Sequence, residues 1–234
     1  MSLRVASAAA VLAACALWAC ASRPGPPAPG MATVEGTVRL VPRDGAPTSS
    51  GGGSYGDRRL RDVRLVDYSK PEASVVFLDA GSRPGGRVEL AAESSISGAR
   101  LVPKLSVVGA GGEIAIANRT TQEVVVSLPG ADRVERIAAG AQWVSSADRA
   151  GPLEIFLLGA EEPVRVWVSP GPWTRPDASG RFALTDLPPG HFTLRAWHPR
   201  LPSASAPVDL QADTTSTVDF EIGVGRGEGA HEAH

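Results

Sequence analysis

Hydrophobic and polar residues alternate with a period of two along most of the chain, in short runs separated by Gly, Pro and Asn turns. Such alternation is typical of half-buried β-strands, whereas few long segments show the 3.6-residue period of a helix. The clearest example is the pair of runs at 181–184 and 191–197, which flank a Pro-Pro-Gly turn at 188–190. Neither proline can donate to a β-ladder, so the turn ends the first run. The pattern predicts an all-β fold with little helix.

The same pattern indicates how the strands are grouped along the chain. Residues 33–41 form the first predicted strand, and the apolar run at 73–79 has the composition of a central strand. Short strands separated by turns follow at 87–90, 105–108, 113–116, 123–126, 136–137, 142–144, 153–157 and 164–168. This spacing predicts a Greek-key-like β-sandwich between residues 85 and 168.

The last third of the chain resembles a known domain family. Residues 177–180 with Phe182, followed by Leu-Pro-Pro-Gly at 187–190 and by Leu194, resemble the carboxypeptidase regulatory-like domain, a transthyretin-like Ig sandwich. The Gly-x-Val strand at Gly36, the Gly-x-Pro turn at 45–47 and the Ala-x-Val strand at 73–75 match the beginning of such a domain. The resemblance therefore implies an Ig-like sandwich formed by residues 33–80 and 170–223 and interrupted by a second domain at 85–168. Such an insertion is tolerable because loop-closure entropy grows slowly with loop length.

The closing Trp-His-Pro-Arg-Leu at 197–201 is similar to secreted bacterial proteins, some labelled methylamine-utilisation proteins, in which this domain is joined to a plastocyanin-like cupredoxin domain. The resemblance makes residues 85–168 a cupredoxin-like sandwich, with Glu113–Asn118 on the strand that precedes the first copper histidine. In that family two His, one Cys and one Met bind the copper. The aligned residues here are Val124, Leu157, Ala160 and Pro163, which have no lone pair to donate. We therefore predict no copper at this site and no other metal or cofactor.

The four histidines do not rebuild such a site. We predict that His198, between Trp197 and Pro199, ends a strand as a structural residue and that His191 faces solvent. His231 and His234 belong to a Gly-rich tail at 224–234 and lack the i, i+4 spacing of a zincin helix. Whether this tail binds metal stays open.

No catalytic residues are predicted. The chain has no Gly-x-Ser-x-Gly elbow, and no cysteine follows residue 20 to serve as a nucleophile. The adjacent Glu161 and Glu162 are expected on an exposed loop, and on a strand they would point to opposite faces and could not act together as acid and base. We therefore predict that the protein is not an enzyme.

The N-terminus has the features of an export signal. Arg4 and the apolar run at 5–19 precede Cys20, and this run is too short to span a bilayer. Cys15 ends a better match to the lipobox of bacterial lipoproteins, but Cys20 leaves a hydrophobic segment of more usual length. We favour a signal peptide at 1–19 with lipidation of Cys20; processing at Cys15 and an ordinary signal peptide are the alternatives. The Pro-rich segment at 20–32 is predicted to be a stiff tether.

Charge narrows the class of partner. The chain has 23 basic and 25 acidic residues, and no basic face is evident that would bind nucleic acid. We predict a non-catalytic, lipid-anchored cell-envelope protein that presents β-sandwich domains for protein or carbohydrate binding or for structural support. Because Ala21 is not an acidic retention signal, the periplasmic side of the outer membrane is favoured. The alternative is a periplasmic copper-binding or electron-transfer protein with non-standard ligands such as His191, His198 or the tail.

Overall fold

A computed structural model describes residues 27–42, 66–80, 85–96 and 98–223. These ranges are nearly all β-strand, with two short 3-10 turns, so the predicted all-β sandwich fold is confirmed. The predicted signal peptide, Cys20, most of the tether and the tail after residue 223 lie outside the described residues. None of the helical segments in the described part of the chain is long and apolar enough to cross a membrane.

Within the described ranges, seventeen strands make up four sheets. In chain order they are β1 (Ala32–Val41), β2 (Val75–Leu78), β3 (Arg87–Ser95), β4 (Gly98–Val102), β5 (Leu105–Gly109), β6 (Gly112–Asn118), β7 (Val124–Leu128), β8 (Arg133–Ile137), β9 (Gln142–Ala147), β10 (Gly151–Leu157), β11 (Val164–Ser169), β12 (Trp173–Thr174), β13 (Arg181–Leu187), β14 (Gly190–His198), β15 (Leu201–Leu210), β16 (Thr215–Thr217) and β17 (Phe220–Gly223).

Strands from the two ends of the described chain form one pair of sheets, which we call the split sandwich. In sheet I, β1 pairs antiparallel with β13 and parallel with β16 and β17. Sheet II has the order β12-β2-β14-β15 and is antiparallel. The apolar side chains between these sheets form one core, to which β1, β2, β13, β14, β15 and β17 contribute. Strands β1 and β2 therefore fold together with the strands that follow residue 172.

The strands from β3 to β11 form a second pair of sheets, which we call the inserted sandwich. Sheet III has the order β5-β11-β10-β7-β8, and sheet IV has the order β4-β3-β6-β9. Their inward side chains, chiefly Val, Ile and Leu, form a separate core. Each sandwich thus buries its own apolar residues, as an independently packed unit does.

The chain enters and leaves the inserted sandwich at neighbouring points of sheet II. Trp173 of β12 pairs with Phe77 of β2, and the backbone N–H of Leu78 donates to the carbonyl of Pro172 at 3.0 Å. Gly171 lies so close to this crossing that a Cβ atom there would be 2.6 Å from the carbonyl oxygens of Leu78 and Ala80. Because the two ends of the insertion meet, the split sandwich can close around them.

The turn predicted from Asp177 to Gly180 is formed by local hydrogen bonds. Asp177 Oδ1 accepts from the Ser179 hydroxyl at 2.6 Å, from the Ser179 backbone N–H at 2.8 Å and from the Arg181 N–H at 3.0 Å. The bond from the Ser179 hydroxyl makes the largest contribution to lowering the pKa of Asp177, because it favours the ionised carboxylate. Gly180 has φ +85°, a conformation that residues with a side chain rarely adopt. The turn directs β13 back along β1.

Candidate functional site

The positions to which the cupredoxin resemblance assigns copper ligands are occupied by hydrocarbon. Val124 begins β7 and Leu157 ends β10, with 7% and 4% of their surface exposed. Both belong to the core of the inserted sandwich, and Ala160 packs against that core. Burial of side chains of this size contributes about 1.5–3 kcal/mol each. The residues brought together here stabilise the sandwich and offer no donor to a metal ion.

The buried Asn118 holds the loop that leads to Val124. Its Nδ2 donates to the carbonyls of Gln122 at 2.7 Å and Ile137 at 2.9 Å. Its Oδ1 accepts from the N–H of Thr120 at 2.9 Å and from the Thr120 hydroxyl at 2.7 Å. Because these four bonds use both donors and both lone pairs of the amide, Asn118 is saturated. The structure therefore gives this residue a positioning role in the loop.

The histidines in the described part of the chain lie too far apart to bind one ion together. His191 is exposed near the start of β14, with its Nδ1 3.3 Å from an Asp209 carboxylate oxygen. His198 is buried at the other end of the same strand, and its Nδ1 accepts from the N–H of Arg200 at 3.2 Å. Seven residues of strand separate them by about 23 Å. Among the described residues, no three His, Cys, Asp or Glu side chains are grouped so that they could hold a metal ion.

Glu161 and Glu162 lie outside the strands, on the loop expected for them. The structure places them in a bend between β10 and β11, because Gly159 (φ +87°) turns the chain directly after Leu158. Glu162 forms ion pairs with Arg200 at 3.2 Å and with Lys104 at 3.8 Å. Since Lys104 and Glu162 belong to the inserted sandwich and Arg200 to the split sandwich, this carboxylate links the two units.

Next to that ion pair, the two sandwiches meet through aromatic side chains. The rings of Trp167 in β11 and Trp197 in β14 stack with centroids 4.5 Å apart, and the Phe77 ring lies 5.0 Å from Trp167. Four further residues complete this cluster, which we call the junction: Val75, Leu105, Val107 and Trp173. The outer face of sheet II thus packs on the outer face of sheet III, and the molecule has four stacked sheets.

His198 lies at the edge of the junction, directly after Trp197. Burial, and to a smaller extent the positive charges of Arg200 and Arg165, lower its pKa from 6.5 to about 4. The imidazole is therefore neutral at physiological pH. It accepts a backbone hydrogen bond and contributes packing, as the sequence analysis predicted for a structural residue.

The outer face of sheet III continues past the junction into a region that no described residue covers. Phe156 of β10 pairs with Ser127 of β7, which pairs with Val134 of β8, so these three side chains project from one face in a row. The next row contains Leu158, whose N–H donates to the carbonyl of Val125 at 2.9 Å. We call these five residues the apolar strip. Three of the five large apolar side chains that are exposed in the described chain, Phe156, Leu158 and Val134, lie in it.

The outer face of sheet IV has a different character. Arg87 contacts the carboxylates of Glu113 at 3.1 Å and Glu89 at 3.6 Å. Glu93 lies between Arg100 of β4 and Arg119, which directly follows β6. Val144 is an isolated exposed apolar residue there. Exposed single apolar residues are normal, whereas a contiguous group marks an interaction surface. The apolar strip is therefore the candidate binding site of the described chain.

A scan against protein-family models found no match to this chain, and a search of the curated proteins found none either. The resemblance to the regulatory-like and cupredoxin families therefore stays a prediction.

The sequence pattern predicted neither the junction nor the apolar strip. One signal for them was present: Trp167, Trp197 and Phe156 each stand at the outward position of an alternating strand, where a polar residue is usual. The alternating pattern does not show which surface covers an aromatic residue at such a position.

Proposed function

We propose that the protein is a non-catalytic, lipid-anchored cell-envelope protein that binds a protein partner on the apolar strip. The observation that carries the proposal is the strip itself, a contiguous group of exposed Phe, Leu and Val side chains on a rigid sheet. Binding there would remove apolar surface from water at about 25 cal/mol per Å². The hydrocarbon side chains at the aligned copper positions support the proposal that the protein is non-catalytic, because they give the site no redox or acid-base group.

Of the two partner classes expected from the sequence, the aromatic residues favour protein over carbohydrate. Sugar rings stack on exposed aromatic faces, but Trp167 and Trp197 are buried and stacked on each other. Trp173 packs against them, and the ring of Trp143 is covered by the Arg133 guanidinium, 5.6 Å from its centroid. These four tryptophans are thus engaged within the chain, and a mainly aliphatic strip remains for binding.

Two matched variants test this proposal. Val134→Glu places a charge in the strip, whereas Val144→Glu places the same charge on sheet IV, at a residue that is also an exposed valine in a strand. Cross-linking in intact cells is expected to recover a protein partner with the wild type and with Val144→Glu. Val134→Glu should lower the recovered amount at least tenfold, because a charge would have to be desolvated on binding. Equal recovery from both variants would rule out the strip as the binding site.

The anchor is tested separately, because Cys20 lies outside the described residues. A labelled fatty acid fed to cells should be incorporated into the wild type and into Cys15→Ser, and Cys20→Ser should lose the label. Soluble, unlabelled wild-type protein would contradict the anchor without affecting the strip.

Metal analysis decides the copper alternative. The purified protein and a variant that lacks residues 225–234 are compared after incubation with copper. One bound copper per chain that survives removal of the tail would replace the proposal with a metal-handling function.

A further inference from the structure

The apolar strip has a large and a small side chain side by side at its centre. Its two central neighbours across the β10-β7 pair are Phe156, which is large and 39% exposed, and Ser127, which is small and half-buried. A large side chain beside a small one forms a knob next to a hole. A two-fold axis between them places the Phe156 knob of one copy over the Ser127 hole of the other, and the reverse.

The charges at the borders of the strip are also compatible with a second copy. Arg136 pairs with Glu123 at 3.0 Å at one end, and Glu154 pairs with Arg165 at 3.1 Å at the other, between the strip and the junction. Because each end carries one positive and one negative group, two identical faces can approach without an excess of like charge. A surface that recognises a charged partner of another kind would instead carry one predominant sign.

The junction shows that this face of sheet III already accepts a sheet of the same chain. Leu105, Val107 and Trp167 are covered by Phe77 and Trp197 of sheet II. Sheet II of a second copy cannot bind on the strip, because Phe77 and Trp197 are only 4% and 9% exposed within their own junction. The exposed strip of the second copy is the available apolar counterpart.

We propose that two copies of this chain associate through their apolar strips in an isologous, face-to-face contact of sheet III on sheet III. This inference rests on the proposed function and names its partner: the protein that binds the strip is a second copy. The contact places sheet III of the second copy beside sheet II on the same outer face of sheet III, with Phe156 and Ser127 interdigitating at the two-fold axis.

Filling the hole tests this geometry. Ser127→Phe removes the space for the opposing Phe156, whereas Ser127→Ala keeps it. Analytical ultracentrifugation of the detergent-solubilised full chain is expected to show a concentration-dependent dimer for the wild type and for Ser127→Ala. The association constant should fall at least tenfold for Ser127→Phe and for Val134→Glu, and Val144→Glu should behave as the wild type. Thermal unfolding of each variant verifies that it is folded.

The outcomes separate this inference from the proposed function. A wild type that stays monomeric at all concentrations overturns the second-copy inference. If Val134→Glu nevertheless abolishes cross-linking to a different envelope protein, the proposed function stands with another partner. A dimer that all four variants retain places its interface elsewhere, and it overturns the inference as well.

Discussion

The two ends of the outer face of sheet III have similar chemistry and different surroundings. Trp167 in β11 is 8% exposed beneath Phe77 and Trp197, whereas Phe156 in the neighbouring β10 is 39% exposed. Both side chains project from the same face of one sheet. An aromatic residue on this face therefore stabilises the fold where sheet II covers it. Where no described residue covers it, the aromatic residue is available for recognition.

This difference separates the effect of an outward aromatic residue on stability from its effect on association, which the alternating pattern alone does not distinguish. A covered aromatic residue contributes the free energy of its buried surface on folding, so its removal lowers the free energy of unfolding. An exposed aromatic residue contributes little to folding, so its removal alters only association. The four predictions below test that division, from the largest expected change in stability to the smallest.

Trp167→Ala should have the largest effect. The substitution removes the ring that stacks on Trp197 at 4.5 Å and contacts Phe77 at 5.0 Å. Loss of a buried aromatic side chain costs about 3–5 kcal/mol. We expect the free energy of unfolding to fall by this amount in chemical denaturation. Because each sandwich keeps its own core, we also expect one unfolding transition to split into two. A loss below about 1 kcal/mol would show that the junction is not tightly packed.

The covered end should also make stability depend on pH. His198 has a pKa of about 4 in the folded protein and about 6.5 when unfolded. Its contribution is fully present above pH 6.5, falls as the unfolded state gains the proton, and is lost at pH 4. At about 1.4 kcal/mol per pKa unit, the loss across this window is roughly 3 kcal/mol.

The His198→Asn variant isolates the pH-dependent contribution of His198 to stability. The Asn side-chain oxygen can still accept the Arg200 N–H, but the side chain cannot titrate in this range. Denaturation midpoints measured at intervals from pH 7 to pH 4 should fall less steeply for the variant than for the wild type. Parallel curves would mean that folding does not lower the pKa of His198.

The parts of the fold that follow from local pattern could be predicted. Val164, Val166 and Val168 alternate with Arg165 and Trp167, and the structure has the valines in the core and the other two facing outward. By contrast, β15 was not predicted as a strand, because residues 201–210 are rich in Ser, Ala and Pro. This segment becomes a strand through its long antiparallel pairing with β14, which tertiary structure imposes.

The candidate site depended on information that no local pattern contains. Alternation puts Trp167 and Trp197 on outward faces, but it does not say that sheets II and III approach each other there. Phe156 has the same pattern and remains exposed. Only the long-range packing of the two sandwiches distinguishes these residues, so the strip could be located only in three dimensions.

The ion pair at the rim of the junction should contribute little. Glu162→Gln removes the carboxylate that contacts Arg200 at 3.2 Å and Lys104 at 3.8 Å. Because partly exposed pairs are screened and restrict long side chains, we expect a loss of about 0.5–1 kcal/mol that shrinks in high salt. Arg39→Gln is the control, because Arg39 forms an ion pair within sheet I whose side chains are more exposed. This variant should change stability less. A salt-independent loss above about 2 kcal/mol would mean that the ion pair contributes a large part of the free energy that holds the two sandwiches together.

Phe156→Ser should have the smallest effect on stability and the largest on association. The ring is 39% exposed and its neighbour across the strand pair is Ser127, so we expect the free energy of unfolding to change by less than about 0.5 kcal/mol. Loss of the knob should nevertheless lower self-association at least tenfold in sedimentation measurements, because the opposing hole is then left empty. Phe156→Leu keeps an apolar knob and should retain most of the dimer. If Phe156→Ser destabilised the monomer as strongly as Trp167→Ala, the exposed end of sheet III would be a structural surface like the covered one, and the division between them would fail.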